Sequence, residues 1–590
     1  MTRPALPLLA LCLAAATACS SGGGGGGAPM AGPAPGAPGS GSGAGTGSTP
    51  GAPTLAPVKT KTAVVIATSG AGFLEEDPGQ GGRRTLHLKG TPYEMGVQYG
   101  EMGGPEIEGC VRAAESFVRQ NGVPSFLVPG LIPIGASLFK PYFPQDAKDE
   151  IRGIVQGIRN KHPRLGVTED DLYFMGAIVD LGAVFDLDFI ASFIRINCSG
   201  IAVWGPIAKD GKTFQTRCID LFTGSGLERY PLVVYYKPAG KVPYANVGWA
   251  GMTQVCSGMN AHGVAISQVW GFSTDTRLGQ PWGMTMKRML AEAWTSDDAV
   301  RTLRNEPNRT YGCNFVFADR GDGRGGAASG RTAESTPNLF ADFTDDDPRE
   351  DQALWNGQPY GIRIPNAVFR GDCALDPTVR RFQTASGGPG GDPRAAGAYQ
   401  KRYKGQADRL MAYVNAGQPV GAEELKALAR GVAIPDGSLQ CVVYENTDLK
   451  IWAAYSRFDA NGAAIDARDE PFYLYDFDYY QPTVDLVLDR SDYAPGDTQH
   501  LALSLSNLGS DRDLELRLEI QPATTSSMSW TYAQPAGTTA VSFRQGQMGS
   551  ASVPATLPLL APGAYRVVAR LYERGTLDLV DVGVAAFSVR

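Results

Sequence analysis

The stretch Phe193-Ile-Arg-Ile-Asn197-Cys198-Ser-Gly-Ile-Ala-Val-Trp-Gly205 sets a thiol at the head of a short alternating run. A Lys209-Asp-Gly-Lys212 turn follows, and then Thr213-Phe-Gln-Thr-Arg217-Cys-Ile-Asp220. Asp-Gly between two such runs is a hairpin signal. The reading is two paired strands, with Cys198 opening one and Arg217 and Asp220 closing the other. A nucleophile, a cation and a carboxylate then share one small volume. Gly205 to Thr213 also comes close to a phosphate-binding loop. Five residues separate Gly205 from Gly211, where that loop needs four, and the context is strand–turn–strand rather than strand–loop–helix. Nucleotide binding is therefore rejected.

The chain has few other means of covalent chemistry. Its four histidines, His87, His162, His262 and His500, have no metal-site spacing, and there is no Cys-x-x-Cys. No Gly-x-Ser-x-Gly elbow is present. Neither a metal nor another cofactor is expected. A net charge of −7 with no basic stripe argues against nucleic acid as a partner. An apolar fraction of 43% over 590 residues is enough to bury a large core.

Outward from Cys198, strands and helices succeed one another. Leu86 to Gly100 reads as a strand, a turn and a helix start. Ile107, Val111, Ala114, Phe117 and Val118 recur at helical spacing between Pro105 and Gln120. Further helices are expected over 147–161, 170–184, 407–414 and 422–432, and two over 280–305, the second capped by Thr295-Ser-Asp-Asp. Strands are expected over 201–204, 214–220, 231–236, 258–269, 312–319, 441–444 and 450–455. The polar stretch 342–400 reads as a surface excursion. This mixture points to a layered α+β core over 61–480. From Thr483 the runs alternate with period two between Pro-Gly turns, as expected of a separate Ig-like β-sandwich over 481–590.

The N-terminus reads as an export signal over 1–18, with Arg3 ahead of an apolar run too short to span a bilayer. Cys19 after Ala16-Thr-Ala resembles the lipidated cysteine of a bacterial lipoprotein. Residues 19–60 are almost wholly Gly, Ala, Pro, Ser and Thr, a flexible tether. The expectation is a bacterial cell-envelope protein, anchored to the membrane through lipid on Cys19 or released into the periplasm or medium. With Cys12, Cys19 and Cys198 set aside, Cys110, Cys218, Cys256, Cys313, Cys373 and Cys441 remain, an even set that allows bridges.

Five motifs in order resemble the N-terminal-nucleophile (Ntn) hydrolases of the C45 type, over roughly residues 84–478. This group includes acyl-CoA:6-aminopenicillanate acyltransferases and is related to choloylglycine hydrolases, acid ceramidases and phospholipase B-like proteins. The motifs are Gly90-Thr-Pro-Tyr-Glu-Met-Gly-Val-Gln-Tyr-Gly100, Asn197-Cys-Ser-Gly200, Arg217-x-x-Asp220, Gly258-Met-Asn-Ala-His-Gly263 and Cys313-Asn-Phe-Val-Phe-Ala-Asp319. Two departures stand out. Asn197 precedes the nucleophile where acyltransferases often carry Gly. Arg370-Gly-Asp-Cys373 stands where the family often shows an Arg-Thr-Asn-His segment.

The resemblance implies a four-layer αββα core and a self-processing enzyme. Cys198 would attack the Asn197 carbonyl and become a new N-terminus. Its α-amine, with an ordinary pKa near 8, would then take the thiol proton. Asp220 would hold the ammonium, and Arg217 would favour thiolate or orient substrate. Asn260 and Asn314 would offer amide N–H groups to an oxyanion, worth roughly 3 kcal/mol per donor. By residue type alone, Arg217 and Asp220 also suit a surface ion pair, Asn260 a turn beside Gly263, and Asn314 a strand backbone. His262 reads as a turn residue, and Arg380 and Arg381 as solvated.

The function implied is an exported cysteine amidohydrolase or acyltransferase acting on an acylated small molecule, amide or thioester. Alternatives are a phospholipase B-like lipid hydrolase and a non-catalytic surface lipoprotein with a degenerate scaffold. The C-terminal domain would be a spacer or adhesion module, its protein or glycan partner left open.

Overall fold

The computed structural model describes residues 61–590 apart from 121–124, 127, 186–196, 222, 272, 322–326, 384–391, 393, 395–398, 436, 525–528 and 533–537. The expected signal peptide over 1–18, the expected lipidation at Cys19 and the expected tether over 19–60 lie outside the described residues.

Two sheets stack face to face. The larger has ten strands, running in space from Val64–Ser69 at one edge to Phe340–Phe343 at the other. All its pairings are antiparallel except Arg83–Gly90 against Pro231–Pro238. The smaller sheet has six antiparallel strands in the order Ala367–Arg370, Asn197–Val203, Phe214–Asp220, Ser438–Glu445, Lys450–Tyr455 and Tyr473–Asp476.

Strand alternation assigns each side chain to a layer. Val233, Tyr235, Ala265 and Val269 of the large sheet meet Cys198, Ile219, Val442 and Tyr444 of the small one in a shared apolar cluster. Their neighbours Val234, Tyr236, Ile266, Phe315 and Phe317 point the other way, into helices. On the far side of the small sheet, Phe214, Cys218, Cys441 and Val443 pack on Leu425, Leu428, Ala429 and Val432 of the helix Ala422–Val432. The layers therefore run helix, sheet, sheet, helix.

The Gly90–Gly100 motif is explained by packing. Thr91 and Glu94 cap the helix Pro92–Gln120 reciprocally. Gly96 and Gly100 of that helix face Gly153 and Gly157 of the helix Gln145–Lys161. A Cβ at any of the four would collide with a backbone carbonyl of the partner helix. These glycines set a close helix crossing.

Two expectations are corrected. The helix expected from Pro105 is instead the second half of one 29-residue helix that runs through Pro105. A proline leaves the carbonyl four residues earlier without its N–H partner. Here the Nε2–H of His162 donates to that Glu101 carbonyl at 3.0 Å, and Gly104 makes room for the ring. The stretch 342–400 is not a surface excursion either. It carries the strand Ala367–Arg370, and Arg370 and Asp372 are buried. Part of its polarity is internal, in the pairs of Arg370 with Glu334 and Glu350 and of Asp372 with Arg402, while Arg349–Asp347 and Arg363–Asp351 lie nearer the surface.

The helix Ser296–Arg304 carries the expected cap, Thr295 with Asp298. Helix Val128–Phe139 has no counterpart in the sequence reading. Among the described residues no helix is long and apolar enough to cross a membrane.

Beyond Tyr480 the chain forms two further sheets around one apolar cluster that includes Leu501, Leu516, Ile520, Val567 and Leu571. This region is not separate from the core. Asp581 accepts from Lys237 Nζ at 2.8 Å, Lys89 Nζ at 2.7 Å and the Val484 N–H at 2.8 Å. Val568, Leu579 and Val582 join the apolar cluster that also contains Cys198.

Candidate active site around Cys198

The expected hairpin forms. Asn197 stands opposite Asp220, Cys198 opposite Ile219 and Gly200 opposite Arg217. The Asn197–Cys198 bond is the first step of the strand. The Cys198 side chain is fully buried between the sheets. Gly200, one step along the same face, must lack a side chain, because a Cβ there would lie 2.7 Å from Ser267 Cβ.

Arg217 shares that face. Its Nη2 lies 3.9 Å from Cys198 Sγ and donates to Gln268 Oε1 at 3.2 Å. Gln268 Nε2 in turn donates to the buried Cys313 Sγ at 3.0 Å. Arg217 is 2% exposed, and its Nε and Nη1 have no hydrogen-bond partner among the described residues. Such a cation favours a nearby anion strongly, because little water competes for it. Burial pushes the Cys198 thiol up to about 11, with Arg217 pulling against it.

Asp220 does not pair with Arg217. Its Oδ2 accepts from Arg402 Nε at 3.1 Å, and its Oδ1 from the Ile434 N–H at 3.3 Å. Arg402 Nη1 also donates to Asp372 Oδ2 at 2.9 Å. Asp372 Oδ1 completes the set by accepting the Cys198 backbone N–H at 3.3 Å. All three charged residues are almost fully buried, so the surface ion-pair reading of Arg217 and Asp220 falls away. Burial pushes the Asp220 carboxyl up to about 7 against the opposing pull of Arg402, and raises Asp372 in the same way. Burial alone would lower Arg402, but Asp372 and Asp220 hold it above its usual value.

Asn314 belongs to the wall of this site. Its Nδ2 donates to the Gly371 carbonyl at 3.0 Å, and its Oδ1 accepts from Gln383 Nε2 at 3.0 Å. Gln383 Oε1 accepts the Ala374 N–H at 2.6 Å. The two amides bracket the loop that carries Asp372. Behind it, Arg370 Nε donates to Glu334 Oε1 at 2.8 Å, and its two terminal nitrogens donate to Glu350 at 3.0 and 2.8 Å. Glu334 also accepts the N–H groups of Leu375 and Asp376, each at 2.8 Å. The Arg370–Cys373 segment that departs from the family pattern is thus an ordered part of the site.

Asn260 is a correction. The strand Ser257–Asn260 turns Met259 toward the Cys198 cluster, so Asn260 faces the helix layer. Its Nδ2 donates to the Leu290 and Ala293 carbonyls, and its Oδ1 accepts from the His262 and Val264 N–H groups. It fastens a turn, and its amide has no hydrogen left for an oxyanion.

Asp372, Arg402, Gln268 and Gln383 escaped the sequence reading. Arg402 lies in the single wide turn Tyr399–Tyr403, of a kind that often marks functional segments, but nothing in residue spacing ties it to Asp220. None of the six cysteines left for bridging is bonded to another in this structure. Among the described residues no cluster of three or more His, Cys, Asp or Glu is placed to hold a metal ion.

No family model matches the chain. An uncharacterized protein of Archaeoglobus fulgidus is 25% identical over 271 residues, 44% of this chain and 45% of that protein. The chain thus spans under half the length of that relative. Among solved structures, a Caenorhabditis elegans N-acylethanolamine-hydrolyzing acid amidase ortholog is 11% identical, covering 42% of this chain and 93% of its own, with a TM-score of 0.28. A mutant conjugated bile acid hydrolase from Clostridium perfringens is 12% identical, covering 48% and 97%, with a TM-score of 0.29. The CARDB domain of the PF1109 protein from Pyrococcus furiosus is 16% identical, covering 18% and 87%, with a TM-score of 0.15.

Proposed function

We propose that the chain is a self-processing cysteine hydrolase of the Ntn type, acting on an acyl amide or thioester. One observation carries this reading. Asp372 accepts the backbone N–H of Cys198, and Arg402 bridges Asp372 to Asp220. The two carboxylates share the single bonded guanidinium of Arg402, while Arg217 lies beside the thiol, so a further positive charge at the Cys198 nitrogen would meet the Asp372 carboxylate directly. In the uncut chain a proton on the carboxylates takes its place, in keeping with the raised Asp220 and Asp372. An α-ammonium on Cys198 would supply it after cleavage.

The steps follow. Cys198 Sγ adds to the Asn197 carbonyl, its proton passing to the departing nitrogen, and the C–N bond breaks to leave a thioester and a free amine. Water hydrolyses the thioester, giving the Asn197 carboxylate and the Cys198 thiol. In the mature chain the neutral amine takes the thiol proton, and Arg217 stabilises the thiolate. The thiolate attacks the substrate acyl group, the leaving amine or thiol departs with a proton, and water or an amine resolves the acyl-enzyme. Asn314 acts here as a positioning residue, through Gly371. Export and anchoring through Cys19 belong to the same proposal, on the signal sequence alone.

Intact-mass measurement of the purified protein tests this. Two chains are expected, the second beginning at Cys198, and one uncut chain for Cys198→Ala. A wild type that stays uncut, with the same mass pattern as the variant, sinks the self-processing mechanism.

A further inference from the structure

We infer that Cys218 and Cys441 are joined by a disulfide when the chain folds in an oxidising medium, a cross-strand staple beside the candidate site. Cys218 and Cys441 stand directly opposite each other on the adjacent antiparallel strands Phe214–Asp220 and Ser438–Glu445. Opposed residues in such a ladder have Cα atoms about 4.5 or 5.5 Å apart, according to the kind of pair. Both separations fall within the roughly 4.4–6.8 Å span of protein disulfides. Both side chains point to the same face, toward the helix Ala422–Val432, and both are buried. Around them, Cys218 Sγ donates to the Ala429 carbonyl at 3.6 Å, and Cys441 Sγ lies 3.5 Å from Ser438 Oγ.

The position gives the bond a use. The ladder slips by one residue between Ser438 and Gln440, next to Cys441 and next to the pairing of Asp220. A bulge is where a register is least constrained by its own hydrogen bonds. A covalent tie at Cys218 would hold Arg217 and Asp220, on either side of it, in the register that serves Cys198. The inference does not depend on self-cleavage, since both cysteines lie after Asn197.

Oxidation balances as two exchange steps with a disulfide RSSR of the medium. One cysteine thiolate attacks RSSR, forming a mixed disulfide and releasing RS⁻. The second thiolate attacks the protein sulfur of that mixed disulfide, forming the Cys218–Cys441 bond and releasing the second RS⁻. The two thiol protons end on the two RSH, RSSR is reduced by two electrons, and the protein is oxidised by two. The exchange belongs to folding, before the strands close. In the finished fold the Cys218 thiol is raised well above its ordinary value, first by the neighbouring Cys441 thiol and then by burial, and reacts slowly.

The test uses the full chain purified from an oxidising compartment, a bacterial periplasm. It is denatured in acid, alkylated, digested without reductant and mapped by mass. The expected result is one joined peptide pair holding Cys218 and Cys441, two hydrogens lighter than the separate peptides, which splits on reduction. Alkylation of both Cys218 and Cys441 would overturn the inference. So would a bond from either of them to another cysteine.

Discussion

Asp372 accepts the backbone N–H of Cys198 at 3.3 Å from 174 residues along the chain, and its other oxygen meets Arg402 at 2.9 Å. A main-chain nitrogen in a strand ordinarily bonds to a neighbouring strand. Here it is given to a buried carboxylate, whose negative charge suits an amine better than an amide.

Asp372→Asn keeps an oxygen for that nitrogen and removes the charge. In the mature chain the Cys198 ammonium then loses the carboxylate bonded to it, so its pKa falls. The amine must be neutral to take the thiol proton. The acidic limb of kcat/KM for an acyl amide is therefore expected to move to lower pH, by about one unit. Rate–pH profiles of wild type and variant decide the matter. An unmoved limb would show that Asp372 does not face the amine.

The uncut Cys198→Ala chain is expected to lose stability as pH rises from about 4 to about 7. Asp220 is raised from an ordinary 3.8 to about 7 by burial, so across this window the folded state binds more protons than the unfolded one. A raised carboxyl contributes fully below its unfolded pKa, and that contribution is lost as pH climbs through the folded value. The slope should be on the order of 1 kcal/mol per pH unit. Asp220→Asn, neutral throughout, should lower the slope by its own share and leave that of Asp180, which burial also raises to about 7. Urea midpoints at several pH values measure both.

Asp581→Ala should destabilise the whole chain, because Lys237 then remains buried without a carboxylate and Lys89 keeps only the exposed Asp485. Breaking a buried pair from one side costs about 3–5 kcal/mol. Replacing all three by apolar residues, as in Lys89→Met, Lys237→Met, Asp581→Leu, should recover much of the loss. Denaturant melts of the single and triple variants give the comparison. Recovery would assign the single variant's loss to the stranded ammonium groups rather than to a missing contact.

His162→Ala should cost about 1 kcal/mol or more by stranding the Glu101 carbonyl that Pro105 cannot serve. Pro105→Ala supplies a helical N–H to the same oxygen. Combined with His162→Ala it should therefore cost less than the two single effects added. A double-mutant cycle by thermal or urea unfolding reads the coupling. Strict additivity would mean that His162 and Pro105 do not share that carbonyl.

Local chemistry determined the parts of this protein that the sequence made legible. Alternation on either side of Lys209-Asp-Gly-Lys212 announced two paired strands, because a strand's side chains repeat every two residues, although the connection is the ten residues Trp204–Thr213 with two 3-10 turns rather than a tight two-residue turn. Thr295 announced its helix because a cap acts within four residues. The scarcity of histidine pointed to a thiol with another base. Tertiary structure alone decided the partners of that thiol. Asp220 finds Arg402 across 182 residues, and Cys198 finds Asp372 across 174. Neither separation leaves a trace in spacing, because an ion pair needs only proximity and burial. Asn260 shows the converse: its motif was legible, yet strand parity turns it to the helix side, where it fastens a turn. Residue type named the chemistry available, and which groups came within reach of Cys198 depended on how two sheets and four layers closed around it.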